Sequence, residues 1–148
     1  MKQKEITKIV NKVYPLICAD YSSMALVDFH YNIYERLSGE KGMTGEVQAH
    51  AEYDWSTKKI YLYTSRMFKE EDIIRSLLHE CVHSTQSKVL FDAYYEIGET
   101  YETHPFEIEA RNAEEYDKAI DELCTKEMSH KEFDKQLDEI AIKYGYKL

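Results

Sequence analysis

One short stretch of the chain combines residue types and a spacing that suit metal chemistry: His79-Glu80-Cys81-Val82-His83. Residues four apart lie on one face of an α-helix, so both imidazoles can reach a single metal ion. Glu80 lies about 100° round the helix from His79, where it can reach a water on the metal rather than the metal itself. Zn²⁺ lowers the pKa of such a water, and a carboxylate can then take its proton. The stretch predicts a zinc-dependent hydrolase with Glu80 as general base.

The surrounding sequence predicts that this motif lies on a helix over residues 70–88. His79, His83 and Gln86 share one face of that helix. The opposite face is apolar and consists of Ile73, Ile74, Leu77, Leu78, Cys81 and Val82. We therefore expect a helix that is buried on its back and presents both histidines to a cleft.

A zinc site needs a third protein ligand, and the candidates are His104, Glu107 and Glu109. On a helical wheel for residues 105–124, Glu109 falls within the apolar arc, whereas Glu107 falls on the polar side with Glu114. A carboxylate that faces the core is costly unless it is paired or bound to metal. Glu109 is therefore the predicted ligand, and Glu107 is predicted to be solvated.

Two alternatives remain open at this stage. Glu109 can instead form a buried salt bridge, with Arg75 or Arg111 as its partner. His104 is the rival third ligand, and it can also be a donor to the reaction's oxyanion or an ordinary loop histidine.

The remaining periodicity predicts an α+β domain with a small antiparallel sheet packed on the motif helix and further N- and C-terminal helices. The strands are 46–53 and 60–63, joined by a hairpin at 54–59. The other helices are 3–18, 22–37, 105–124 and 130–144, with Ser129 as N-cap of the last helix and Gly145 at its end.

Composition and charge limit the classes of function. The chain has 148 residues and a net charge of −9, and all of the excess acid lies after residue 90. Because DNA is held mainly by Lys and Arg, we expect no nucleic-acid partner, and this charge argues against a protease that acts near DNA. No apolar run is long enough to span a membrane, and no signal peptide is evident. Three widely spaced cysteines indicate reduced thiols. We expect one cytoplasmic domain over residues 1–148.

Three segments together resemble a zincin metallopeptidase of the gluzincin branch: the strand 60–63, the motif helix, and Glu107-Ile108-Glu109-Ala110-Arg111-Asn112-Ala113. The closest likeness is to small zincin proteins of phages and mobile elements, including the ImmA/IrrE-type peptidases. The resemblance implies that His79, His83 and Glu109 bind zinc and that Glu80 is the general base. It also implies that an edge strand, 46–53 or 60–64, holds an extended substrate.

We therefore expect a zinc metallopeptidase that hydrolyses a peptide bond in a protein or peptide substrate. The alternative is a zincin-like scaffold that binds a protein partner without catalysis. The substrate, the pathway, the oligomeric state, and whether the protein is active or latent are left open by the sequence.

Overall fold

Three short strands form one mixed sheet, described by a computed structural model that covers residues 1–39 and 49–146. Strands β1 (Leu26–His30), β2 (Ala51–Asp54) and β3 (Lys59–Tyr63) lie in the order β1-β3-β2. β3 pairs antiparallel with β2, as the predicted hairpin requires, but parallel with β1. The prediction of an antiparallel sheet is therefore confirmed for the hairpin and wrong for β1.

The described residues form a mixed α/β fold with six α-helices. These are α1 (Gln3–Tyr21), α2 (Ile33–Ser38), α3 (Glu70–Ser84), α4 (Lys88–Glu96), α5 (Pro105–Cys124) and α6 (His130–Lys143). A single 3₁₀ turn, Thr64–Arg66, joins β3 to the segment before α3.

The predicted helix over 22–37 is wrong. Residues 26–30 form β1, and only α2 at the end of that range is helical. Val27 and Phe29 pack against the core while Leu26 is exposed, which gives the two-residue alternation of a strand. The pairing of β1 with β3, more than thirty residues away, stabilises this strand. Local sequence periodicity gives no information about that distant pairing.

The core lies between the sheet and helices α1 and α3, and it holds α3 in place. Ile60, Leu62, Ile73, Leu77 and Cys81 are completely buried in it. α3 also packs against α5 and against β2. The motif helix is thus buried on its back, as predicted, and it is surrounded by the elements that supply the rest of the site.

The C-terminal helices agree closely with the prediction. α5 begins at Pro105, where a missing N–H costs nothing, and ends at Cys124. Ser129 caps α6 by accepting a hydrogen bond from the Glu132 N–H at 3.2 Å. Gly145 follows α6 with a φ of +83°, which favours glycine.

The first part of the predicted strand 46–53 lies outside the described residues. Within the part of the chain that the structure describes, none of the helices combines the length and the apolar character needed to cross a membrane.

Candidate metal centre

The two histidines of the motif lie side by side on α3, facing away from the core. Their ring centroids are 4.8 Å apart, and both residues are buried. Ile73, Leu77 and Cys81 anchor the opposite face of the helix. The four-residue spacing therefore does what the sequence predicts and brings both imidazoles to one place.

The third member of the cluster is Glu107 from the first turn of α5. Its Oε2 lies 3.0 Å from His79 Nε2, and its Oε1 lies 3.3 Å from His83 Nε2. One ligand atom from each of the three residues lies within 4.8 Å of the other two. Glu107 is only 6% exposed, so this carboxylate belongs to the interior of the site.

Each histidine is held by a second hydrogen bond through its other nitrogen. The Nδ1 of His79 lies 2.9 Å from Glu114 Oε2, and the Nδ1 of His83 lies 2.6 Å from Gln86 Oε1. The Gln86 amide is itself oriented, because its Nε2 donates to the Phe106 carbonyl at 3.1 Å. A carboxylate and an amide oxygen are acceptors, so both Nδ1 atoms carry hydrogen. Both Nε2 atoms are left to face Glu107.

The charges of the cluster are strongly coupled. Burial lowers the pKa of His79, but the hydrogen bonds that His79 donates to Glu107 and Glu114 outweigh burial and raise the pKa to about 10. Burial raises the pKa of Glu107, but the hydrogen bonds from His79 and His83 outweigh it and lower the pKa to about 2. The arrangement thus favours a positive charge between the imidazoles and Glu107.

The donor set fits a zinc ion. Two imidazole nitrogens and a carboxylate oxygen are common zinc ligands. The two carboxylate oxygens of Glu107 face one histidine each, at 3.0 and 3.3 Å from the Nε2 atoms, and one ligand atom from each of the three residues lies within 4.8 Å of the other two. His79 would also have the outer carboxylate partner that metal-binding histidines usually have, which is Glu114.

Glu80 lies beside this cluster as a buried carboxylate, with 8% of its surface exposed. Burial raises its pKa, and the neighbouring His83 and His79 oppose that rise. The nearby backbone N–H of Tyr53 also lowers the pKa. Glu80 lines the same cavity as the two histidines and strand β2.

The structure does not bring Glu109, the predicted third ligand, into the cluster. Glu109 is exposed and lines a separate cavity of about 420 Å³ with Tyr144 and Tyr146. The polar side of α5, which carries Glu107 and Glu114, is the side that faces the histidines. Those two acids are seven residues apart and hence on one helical face. The sequence shows that Glu107 and Glu114 share a face, but only the packing of α5 against α3 shows that this face lies opposite the histidines.

The rival ligand, His104, has a structural position instead. It is completely buried, caps α5 by accepting the Phe106 N–H at its Nδ1, and donates from Nε2 to the Phe91 carbonyl at 2.8 Å. Both nitrogens are thus occupied by backbone groups. His104 joins α4 to the start of α5 and does not lie in the metal cluster.

The cluster forms one wall of a cavity of about 890 Å³. Strand β2 lines the same cavity, from Ala51 to Asp54. An edge strand, either 46–53 or 60–64, is predicted to hold the substrate. Residues 60–64 do not form an edge strand, because β3 is the central strand of the sheet. The other, 46–53, overlaps β2, which is an edge strand of the sheet formed by the described residues.

Comparison with known proteins gives no family assignment, since no family model, curated protein or solved structure matches this chain.

Glu114 gives a first prediction. Glu114→Gln is expected to weaken zinc affinity about 10- to 100-fold, because His79 loses the carboxylate that fixes its orientation and raises its basicity. Glu115→Gln is the matched control, because Glu115 pairs with the Arg75 side chain at 3.2 Å. Competition with a chromogenic chelator measures both affinities. Equal affinities for the two variants would show that Glu114 does not support His79.

Proposed function

We propose that this chain is a zinc-dependent metallopeptidase in which His79, His83 and Glu107 hold the metal and Glu80 is the general base. The main support is one observation. Two imidazole nitrogens and one carboxylate oxygen converge at the wall of a cleft, and the buried carboxylate of Glu80 lies directly beside them. This is the donor set and the base that water activation by zinc requires.

The residues of the site divide the work between them. When bound, zinc would supply the Lewis acidity that makes water a nucleophile near neutral pH. His79 and His83 would hold the ion with Nε2 atoms whose direction is set by Glu114 and Gln86. Glu80 would accept the proton of the attacking water and then deliver it to the leaving nitrogen.

Strand β2 gives the cleft a way to hold an extended peptide. Alternate residues of an antiparallel strand turn their backbone groups toward and away from the partner. The Tyr63 N–H donates to the His50 carbonyl at 3.0 Å, so the backbone groups of Ala51 and Tyr53 point to the outer edge. Tyr53 lines the same cavity as Glu80, so this edge faces the cleft. A substrate strand added at this edge would lie alongside the metal centre.

Metal removal and return test the proposal. The purified protein is expected to bind about one equivalent of zinc, to cleave members of a proteome-derived peptide library, to lose that activity with a chelator, and to regain it with Zn²⁺. His83→Ala should lose both zinc and activity. His130→Ala is the matched control, because His130 is exposed at the start of α6.

Two outcomes would contradict the proposal in different ways. Bound zinc without hydrolysis of any library peptide would favour the partner-binding scaffold over the enzyme. Hydrolysis that persists in metal-free protein would place catalysis elsewhere in the molecule.

A further inference from the structure

Aromatic rings form the wall of the cleft next to His83. The ring of Trp55 lies 4.9 Å from that of Phe91, 5.2 Å from that of Tyr53 and 6.1 Å from that of His83, between centroids. Phe91 also lies against His83, at 5.4 Å. Trp55 follows β2 directly, and Phe91 belongs to α4, so two separate elements bring these rings to the metal centre.

These rings are fixed in place by contacts outside the cleft. The indole N–H of Trp55 donates to the Gln86 carbonyl at 3.2 Å, which fastens the tip of the hairpin to the end of α3. The Phe91 carbonyl accepts a hydrogen bond from the buried His104 at 2.8 Å, and the two rings pack at 4.5 Å. The aromatic wall is therefore built before any substrate arrives.

The same rings are only half-buried, and both line the cavity that contains His79, His83 and Glu107. Apolar ring faces at a cavity lose water when an apolar group covers them, which favours binding of such a group. Lys88 places its ammonium 5.7 Å from the Trp55 ring centroid. A cationic substrate side chain is disfavoured at that ring, because the Lys88 ammonium would repel it.

We infer that Trp55 and Phe91 form a specificity subsite that takes an apolar side chain, aromatic above all, adjacent to the scissile bond of an extended peptide. This inference rests on the proposed peptidase function and narrows its substrate class. The subsite adjoins one metal ligand, His83, and begins where the peptide-holding edge of β2 ends.

Peptide binding tests the subsite separately from hydrolysis. Two synthetic peptides that differ only in one central residue, Phe or Ala, are titrated calorimetrically into the Glu80→Gln protein, both zinc-loaded and metal-free. We expect the Phe peptide to bind at least about tenfold more tightly than the Ala peptide, which is the usual gain when a larger apolar side chain fills an apolar pocket. Trp55→Ala and Phe91→Ala should each remove most of that difference, whereas Trp55→Phe should keep most of it. Phe68→Ala is the control, since Phe68 is 71% exposed and lies outside the cavity lining.

The outcomes separate the subsite from the peptidase. Equal affinity for the two peptides, including no binding of either, would overturn the subsite. Cleavage by wild type without preference for apolar residues would also overturn it while leaving the peptidase standing. A preference for the Phe peptide that depends on Trp55 and Phe91, in a protein that cleaves nothing, would support the subsite and overturn the peptidase.

Discussion

Glu107→Ala is expected to lose zinc, with an affinity at least about 100-fold below that of wild type. Removing even an outer partner of a metal-binding histidine costs about 10- to 100-fold, and Glu107 is in direct contact with both histidines. Two histidines without a third protein ligand do not make the usual protein zinc site. Equilibrium dialysis with elemental analysis measures the loss.

The matched control for this variant is Glu109→Ala. Glu109 lies two residues further along α5 and is exposed, so its removal should leave about one equivalent of zinc in place. Zinc retained by Glu107→Ala and lost by Glu109→Ala would reverse the assignment. Zinc lost by a His104 variant with a normal fold would instead favour His104.

Glu80→Gln is expected to keep its zinc and lose hydrolysis, with kcat lower by about 10²- to 10⁴-fold, the usual contribution of a positioned general base. The amide has the size of the carboxylate, and its oxygen can still accept hydrogen bonds. It cannot take a proton from water. Bound zinc together with kcat, measured on the same preparation, gives the result.

Glu70→Gln is a suitable control for this second variant, because Glu70 lies at the exposed start of the same helix. Its activity should match that of wild type. If Glu80→Gln hydrolysed peptides at the wild-type rate, another group would be the base. If it lost zinc, Glu80 would be one of the metal ligands.

What the sequence predicts well here is local. The spacing of His79 and His83, the proline start of α5 and the Ser129 cap each depend on residues within about one turn of one another. The structure agrees with the sequence at each of these points. Helix periodicity also predicts the burial of α3, because its apolar residues share one face.

What the sequence predicts poorly depends on partners distant in the chain. β1 is a strand because it pairs with β3, whereas local periodicity predicts a helix there. The helical wheel predicts that Glu107 is solvated, because it shares a face with other charges. That face becomes interior only when α3 packs against α5 and brings the two histidines opposite it. A helical wheel separates polar from apolar faces, but it does not tell a solvated polar face from one that encloses a metal site.

The same packing gives the uneven charge of the chain a structural meaning. The acidic half supplies Glu107 and Glu114, and the neutral half supplies the histidines that they contact. These two acids lie within hydrogen-bonding distance of imidazole rather than on an outer surface. A cation bound between the two halves would therefore also link α5 to α3.

Anomalous X-ray scattering at the zinc edge, from crystals of the zinc-loaded wild-type protein, tests the metal centre most directly. We predict one strong peak about 2.0–2.2 Å from His79 Nε2, His83 Nε2 and a Glu107 carboxylate oxygen. A protein that takes up zinc but shows no peak at these three atoms, or a peak coordinated by Glu109 or His104 instead, would contradict the assignment.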